Sequence, residues 1–195
     1  MLASASPRRR ELLGRLGIPF EILASHIPEV HPPVPPAQAV AAVALAKALA
    51  VAADLDAAPR PAGVPAVVLG ADTEVVLDGR LLGKPRDAAD AARMLRELRG
   101  REHEVITGVA VVDLGPPGSA SRQETAAVTS RVRMAEYSEA DIARYVATGE
   151  PLDKAGGYAV QGLGGRLVAA VEGCLTNVIG LPLTTTRALL ERRGF

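Results

Sequence analysis

A compact apolar run, Ala66-Val67-Val68-Leu69, stands between a long Ala- and Val-rich stretch at 37–54 and a helix-periodic segment at 87–99. Beta-branched residues in so short a run, closed by Gly70, predict a buried strand, and a buried strand between two helical segments commits the chain to an α/β fold. The same pattern brings Ala71-Asp72-Thr73 to the carboxyl end of that strand, a common place for chemistry in open α/β sheets. The stretch at 37–54 predicts a soluble helix, because Gln38 and Lys47 interrupt it and leave it well short of a membrane span. In the segment at 87–99, Ala91, Met94, Leu95 and Leu98 share one helical face, and Gly100 caps it.

The remaining elements follow from local signals. Residues 1–5 predict a short strand, and Ser6-Pro7 supplies an N-cap and a first-turn proline for a helix carrying Leu12, Leu13 and Leu16 and ended by Gly17. Phe20-Glu21-Ile22-Leu23 predicts a second strand, the prolines at 32–36 a rigid connector, and 59–65 a loop. Asp78-Gly79 marks a hairpin turn, and alternating runs at 103–114 and 124–134, split by Gly115-Pro116-Pro117-Gly118-Ser119, predict a long antiparallel pair. Ser138 caps a helix running to Thr148, and Thr184 or Thr185 caps the C-terminal one. The sum is an α/β chain with a mixed sheet and no internal repeat, and 195 residues fit one large domain or two small lobes.

Composition removes several classes of function. Lys and Arg number 22 against 22 Asp and Glu, so the formal charge is zero, which argues against a duplex-coating or polybasic membrane protein. Aromatics at 3% leave little for stacking single-stranded bases. One cysteine, Cys174, excludes an internal disulfide or a Cys-rich metal site and reads as a small buried hydrophobe. The opening MLASASPRRR has no apolar segment after its arginines, so the expected location is the cytoplasm, with neither nucleic acid nor membrane as partner.

Several segments could carry chemistry. Arg8, Arg9 and Arg10 follow the predicted Ser6-Pro7 helix start, where the macrodipole disfavours cations unless an anion sits on the free N–H groups; the bland alternative is a solvated basic turn. Asp72, after an apolar run, is costly unless it binds a cation, accepts several hydrogen bonds or acts as a base, the alternative being a cap on the next turn. Thr73 adds a hydroxyl beside it. Lys84 in Gly83-Lys84-Pro85 resembles a phosphate lysine, although Asp78 and Pro85 stand where a Walker loop needs Gly and Ser or Thr. Lys47, taken alone, reads as a snorkelling lysine. The glycine-rich segment 149–165 implies irregular backbone, and its Gln161 carries the donors and acceptor to pair with a uracil or thymine edge, while Asp153 and Lys154 could form a simple ion pair. No Ser, His and acid arrangement is legible, and His103 reads as structural.

Together, Ser4-x-Ser6-Pro7-Arg8-Arg9-x-Glu11-Leu12-Leu13, Gly70-Ala71-Asp72-Thr73, Gly83-Lys84-Pro85, Thr107-Gly108-Val109, Glu150-Pro151-x-Asp153-Lys154-Ala155-Gly156-x-Tyr158-x-Val160-Gln161-Gly162 and Asn177-Val178-x-Gly180-Leu181-Pro182 resemble the Maf family, in its order and over nearly the whole chain. The resemblance implies a single domain over residues 1–195, an elongated mixed sheet flanked by helices in two lobes around a central cleft, similar to the inosine triphosphatase fold, and commonly a homodimer. It implies a nucleoside triphosphate pyrophosphatase of the house-cleaning kind, or one linked to arrest of cell division, cutting between the α- and β-phosphates. By motif match, Asp72 is the proton acceptor, Arg8, Arg9, Lys47 and Lys84 hold phosphates, Ser6 and Lys154 join the substrate-binding set, and Glu29 with Asp72 ligates Mg²⁺ or Mn²⁺.

The branch that acts on 7-methyl-GTP has Trp for the first motif arginine and Glu for the glutamine, so Arg8 and Gln161 resemble the branch acting on dTTP and UTP, with Arg8, Thr73 and Gln161 as specificity positions. Cys174-Leu175-Thr176 departs from the polar aromatic residues usual before Asn177. The rival reading is a nucleotide-sensing regulator of cell division without turnover, against which the retained Asp72 and Lys84 speak.

Overall fold

The computed structural model describes residues 1–56, 66–114 and 122–195, so the loops expected at 59–65 and 115–119 lie outside the described residues. Its strands form one five-stranded sheet in the order β2-β1-β3-β4-β5, from β1 (Ala66–Leu77), β2 (Arg80–Leu81), β3 (Glu102–Leu114), β4 (Gln123–Met134) and β5 (Val168–Glu172). The sheet is antiparallel rather than mixed. Parallel pairing is confined, among the described residues, to isolated bridges from Leu2 to Ile22 and Leu69, so the expected strands at 1–5 and 20–23 reduce to single bridging residues. Leu2 N–H donates to Glu21 O and Ala3 N–H to Leu69 O, each at 2.8 Å, which suffices to pin the N-terminus beside β1.

The strand expected to end at Gly70 runs on to Leu77, which is a correction with a steric cause. Gly70 is not a turn residue: a Cβ there would lie 2.2 Å from the carbonyl oxygen of Ala44 and 3.0 Å from Ala48 Cβ, both on α2 (Pro36–Asp56). On β3, a Cβ at Gly108 would lie 2.5 Å from the Val40 carbonyl. The two glycines are thus flat spots on which α2 lies against the strands. The hairpin of β1 and β2 is as expected, with Val76 paired to Leu81, Leu77 to Arg80, and Asp78 and Gly79 at φ 51° and 75°, the positive values a two-residue turn of this twist needs.

Among the helices, α1 (Pro7–Gly14) starts on the Ser6 cap but ends at Gly14. The next, α3 (Ala88–Leu98), buries the predicted face of Ala91, Met94, Leu95 and Leu98, and α4 (Glu139–Val146) opens on Ser138 in a full capping box with Asp141. The last two are α5 (Leu175–Ile179) and α6 (Leu183–Glu191), the latter capped by Pro182 without a side-chain bond, so Thr184 and Thr185 lie inside it. Contrary to the sequence expectation, α2 is long and apolar enough to cross a membrane by length and composition. Its Ala44, Ala48, Val51 and Ala52 pack in a core with Ala3, Val68, Ala110 and Val112.

The chain divides into two compact units. The first comprises Met1–Asp72, Thr107–Val128 and Gly180–Phe195, and the Ala- and Val-rich core above belongs to it. The second comprises Thr73–Ile106 and Thr129–Ile179, with a core of Leu95, Leu98, Val132, Met134, Ile142 and three tyrosines, Tyr137, Tyr145 and Tyr158. There His103 accepts or donates to Tyr158 Oη at 2.6 Å, a structural role as expected. Cys174 is half-buried, with Sγ 3.2 Å from Thr176 Oγ1, rather than a plain core hydrophobe.

Candidate active site

In the first unit the chain leaves Leu2 and Ala3 through the buried Ser4 and enters α1 at Ser6, whose Oγ accepts from Arg9 N–H at 3.4 Å. Arg9 is anchored at its base: Nε donates to Gly180 O at 2.9 Å and Nη1 to Ser4 Oγ at 3.2 Å. Burial lowers the pKa of this guanidinium, the carboxylates of Asp72 and Glu29 push it back up, and neighbouring Arg8 lowers it again. A cation held by burial partners at a helix start, facing two carboxylates, differs from a solvated basic turn. Arg8 is half-buried and Arg10 exposed.

Asp72 sits within β1, not at its end, and is nearly inaccessible at 3% exposure. Two groups meet its oxygens. Lys47 Nζ donates to Oδ1 at 2.7 Å, and His31 Nε2 lies 2.8 Å from Oδ2. The same Lys47 ammonium donates to Glu29 Oε1 at 2.6 Å, so one buried lysine joins both carboxylates that the sequence nominates as metal ligands. Lys47 is therefore no snorkelling residue. It reaches Asp72 because α2 lies close on Gly70.

His31 was missed by sequence reasoning. The signal was there in Pro28-Glu29-Val30-His31-Pro32: in extended, proline-flanked backbone, residues two apart point the same way, so Glu29 and His31 face Asp72 while Val30 between them is 73% exposed. Glu74 was missed by the same oversight. It follows Asp72 by two residues on β1, is buried, and in the second unit its Oε2 accepts from Gly83 N–H at 3.1 Å.

The other nominated residues belong to the second unit, which begins at Thr73. Gly83-Lys84-Pro85 follows β2, and Gly83 O accepts from Gly156 N–H at 2.8 Å, tying the Lys84 turn to the segment after Lys154. Lys84 itself is exposed. Lys154 Nζ donates to Glu150 O at 2.7 Å and pairs with Asp153. Gln161 is exposed and precedes a 3₁₀ turn at Gly162–Leu167, within the irregular backbone the glycines foretold. The first unit thus groups Ser6, Arg8, Arg9, Glu29, Lys47 and Asp72, and the second holds Thr73, Lys84, Lys154 and Gln161.

The chain is similar to known proteins along its whole length. A family model described as Maf-like protein matches residues 1–193. A dTTP/UTP pyrophosphatase of Moorella thermoacetica is 55% identical over 197 residues, covering 100% of this chain and 94% of the relative. Proteins of the same name from Anaeromyxobacter sp. (strain Fw109-5) and Pelotomaculum thermopropionicum are 51% and 46% identical, covering 100% of this chain and 89% and 96% of the relatives. Matched by the family model over residues 1–193 and by these relatives along its whole length, the chain belongs to the Maf family.

Proposed function

We propose that this chain hydrolyses dTTP and UTP to the nucleoside monophosphate and pyrophosphate, acting as one functional domain over residues 1–195. The observation that carries the reading is the buried Lys47 ammonium held between Asp72 and Glu29, beside a helix start that carries Arg8 and Arg9. Structural ion pairs of this cost persist where charge is needed.

Lys47 donates to Oδ1 of Asp72 and His31 lies against Oδ2, each oxygen keeping a second lone pair, and the carboxylate accepts the proton of the attacking water there. The water oxygen bonds to the α-phosphorus, and the bond from that phosphorus to the bridging oxygen breaks toward pyrophosphate. Arg8, Arg9, Lys47 and Lys84 offset the charge that builds on the departing group, so the catalysis is positioning and electrostatics without a covalent intermediate. Ser6 contributes the helix start, and the third hydrogen of the Lys154 ammonium is the one left for substrate. Arg8, Thr73 and Gln161 select the base.

Glu29 and Asp72 are hard oxygen ligands of the kind a divalent cation takes, and such a cation would displace the Lys47 ammonium now held between them. Bound there, Mg²⁺ or Mn²⁺ supplies further charge neutralisation on the triphosphate. The same reading places the protein in the cytoplasm as a homodimer, with neither nucleic acid nor membrane as partner.

The test is pyrophosphate release from dTTP, UTP, CTP, GTP and 7-methyl-GTP with Mg²⁺. Selective turnover of dTTP and UTP supports the reading, and loss of that turnover in Asp72→Asn supports the role of Asp72. Wild-type rates in Asp72→Asn remove the mechanism; turnover of 7-methyl-GTP instead removes the base assignment, and no turnover favours a sensor.

A further inference from the structure

Gln161 is followed by Gly162-Leu163-Gly164-Gly165, a segment whose backbone is wrapped around one side chain. Leu163 N–H donates to Oε2 of Glu150 at 3.3 Å and Gly164 N–H to Oε1 at 3.1 Å, while the hydroxyl of the buried Tyr145 donates to Oε1 at 3.0 Å. Consecutive N–H groups turned toward one anion form the cup that binds phosphate in other settings; here the anion is the chain's own carboxylate. Burial raises the Glu150 pKa, but hydrogen bonds from Gly164, Tyr145 and Leu163 outweigh it and hold the carboxyl below its ordinary range.

Glu150 is itself fixed. Its N–H donates to Thr148 Oγ1 at 3.2 Å and its carbonyl accepts from Lys154 Nζ at 2.7 Å. The glycines are moulded to it: Gly162 has φ +72° with a notional Cβ 3.1 Å from Oε2, and a Cβ at Gly164 would lie 2.5 Å from Tyr145 Oη. Without an anchor, Gly162 would let the backbone beyond Gln161 wander over a wide range of conformations.

We propose that Glu150 is a positioning residue for base selection, holding the backbone after Gln161 so that the exposed amide meets a uracil or thymine edge in one orientation. This rests on the reading of Gln161 as the group that recognises the base. A cytosine ring reverses the donor and acceptor of that edge, so the ratio of kcat/KM for UTP over CTP reports the orientation.

The experiment compares the wild type with Glu150→Ala, Glu150→Gln, Gln161→Ala and the Glu150→Ala/Gln161→Ala double variant. It reads the UTP over CTP ratio, KM and kcat separately, and hydrogen exchange at the Leu163 and Gly164 amides. In Glu150→Ala the ratio falls about tenfold, through KM for UTP rather than kcat, and both amides exchange faster. Gln161→Ala loses the same ratio, and the double variant loses no more.

A ratio kept in Glu150→Ala but lost in Gln161→Ala overturns the positioning role with the base reading intact. An unchanged ratio in Gln161→Ala overturns the base reading and the proposal with it. Should Glu150→Ala not fold, Glu150→Gln decides. Its single amide oxygen cannot accept from all the donors, so a ratio about threefold lower supports the proposal, and an unchanged ratio with unchanged exchange overturns it.

Discussion

Replacing Gly70 with alanine adds one methyl group to β1, and the structure gives the cost. The new carbon would lie 2.2 Å from the Ala44 carbonyl oxygen and 3.0 Å from both the Cβ and the N of Ala48. A carbon needs about 3.3 Å from a carbonyl oxygen, so α2 must retreat by about 1 Å or the strand must bow by as much. Overpacking of this kind costs about 1–3 kcal/mol of stability, since helix backbone rather than a flexible side chain is the obstacle. The displaced stretch carries Lys47, whose ammonium is 2.7 Å from Asp72 Oδ1; a shift of about 1 Å takes it beyond hydrogen-bond reach. A misplacement on that scale costs about 10²-fold in rate.

The assay is urea unfolding for stability and pyrophosphate release from dTTP for kcat/KM. Both are expected to fall together. Ala48→Gly added to Gly70→Ala recovers little, because the carbonyl of Ala44 remains. Gly14→Ala is the control: a Cβ there has nothing within 4 Å, so alanine in that helix is neutral or stabilising. Gly70→Ala with stability within about 0.5 kcal/mol of wild type and full activity would refute the argument that this glycine seats the helix.

Three further outcomes are expected. Lys47→Met leaves the buried Asp72 without its cation and lowers stability by about 3 kcal/mol, and added Mg²⁺ raises Tm more in this variant than in wild type; equal shifts in both would show that the ammonium and the metal do not share the carboxylates. Burial lowers the pKa of His103 to about 4, so the unfolded chain takes up a proton first, and stability falls on acidification from about pH 6.5 to about pH 4 by about 3 kcal/mol. His103→Gln should flatten that limb of a pH series of unfolding midpoints, and an unaltered slope would assign it elsewhere. Chelation of divalent metal should abolish pyrophosphate release while leaving the far-ultraviolet circular dichroism unchanged; release that persists in chelator removes the metal from the reading.

What was legible in the sequence was local. Ser6 and Ser138 read correctly as caps because an N-cap is decided within four residues, and Asp78-Gly79 because a two-residue turn is decided within two. Gly70 was misread for the complementary reason: the atom that demands a glycine there belongs to Ala44, far off in the chain, and the local pattern looks the same as a strand end. Asp72 in mid-strand was unexpected because its charge is matched by Lys47, and its other oxygen met by His31, from other segments. Thr184 and Thr185 offered rival caps, whereas Pro182, with its fixed φ, is the residue that opens α6. The site's nominees came from ordered motifs, and no residue in isolation would have separated Lys47 from an ordinary helix lysine.

The chain passes between the two units at Asp72 to Thr73, Ile106 to Thr107, Val128 to Thr129 and Ile179 to Gly180, so β1, β3 and β4 each change unit partway along. Neither unit is therefore a separable gene segment, and no single cut yields one of them whole. Synthesis feels the same stitching. Arg9 emerges early, yet the carbonyl that orients its guanidinium belongs to Gly180. A ribosome that stops short of that residue releases a chain with the arginines and carboxylates in place but without the carbonyl that accepts from Arg9 Nε. Until the last residues are made, Ser4 alone of the Ser4 and Gly180 anchors can orient this guanidinium, so the finished geometry of Arg9 waits on the end of synthesis.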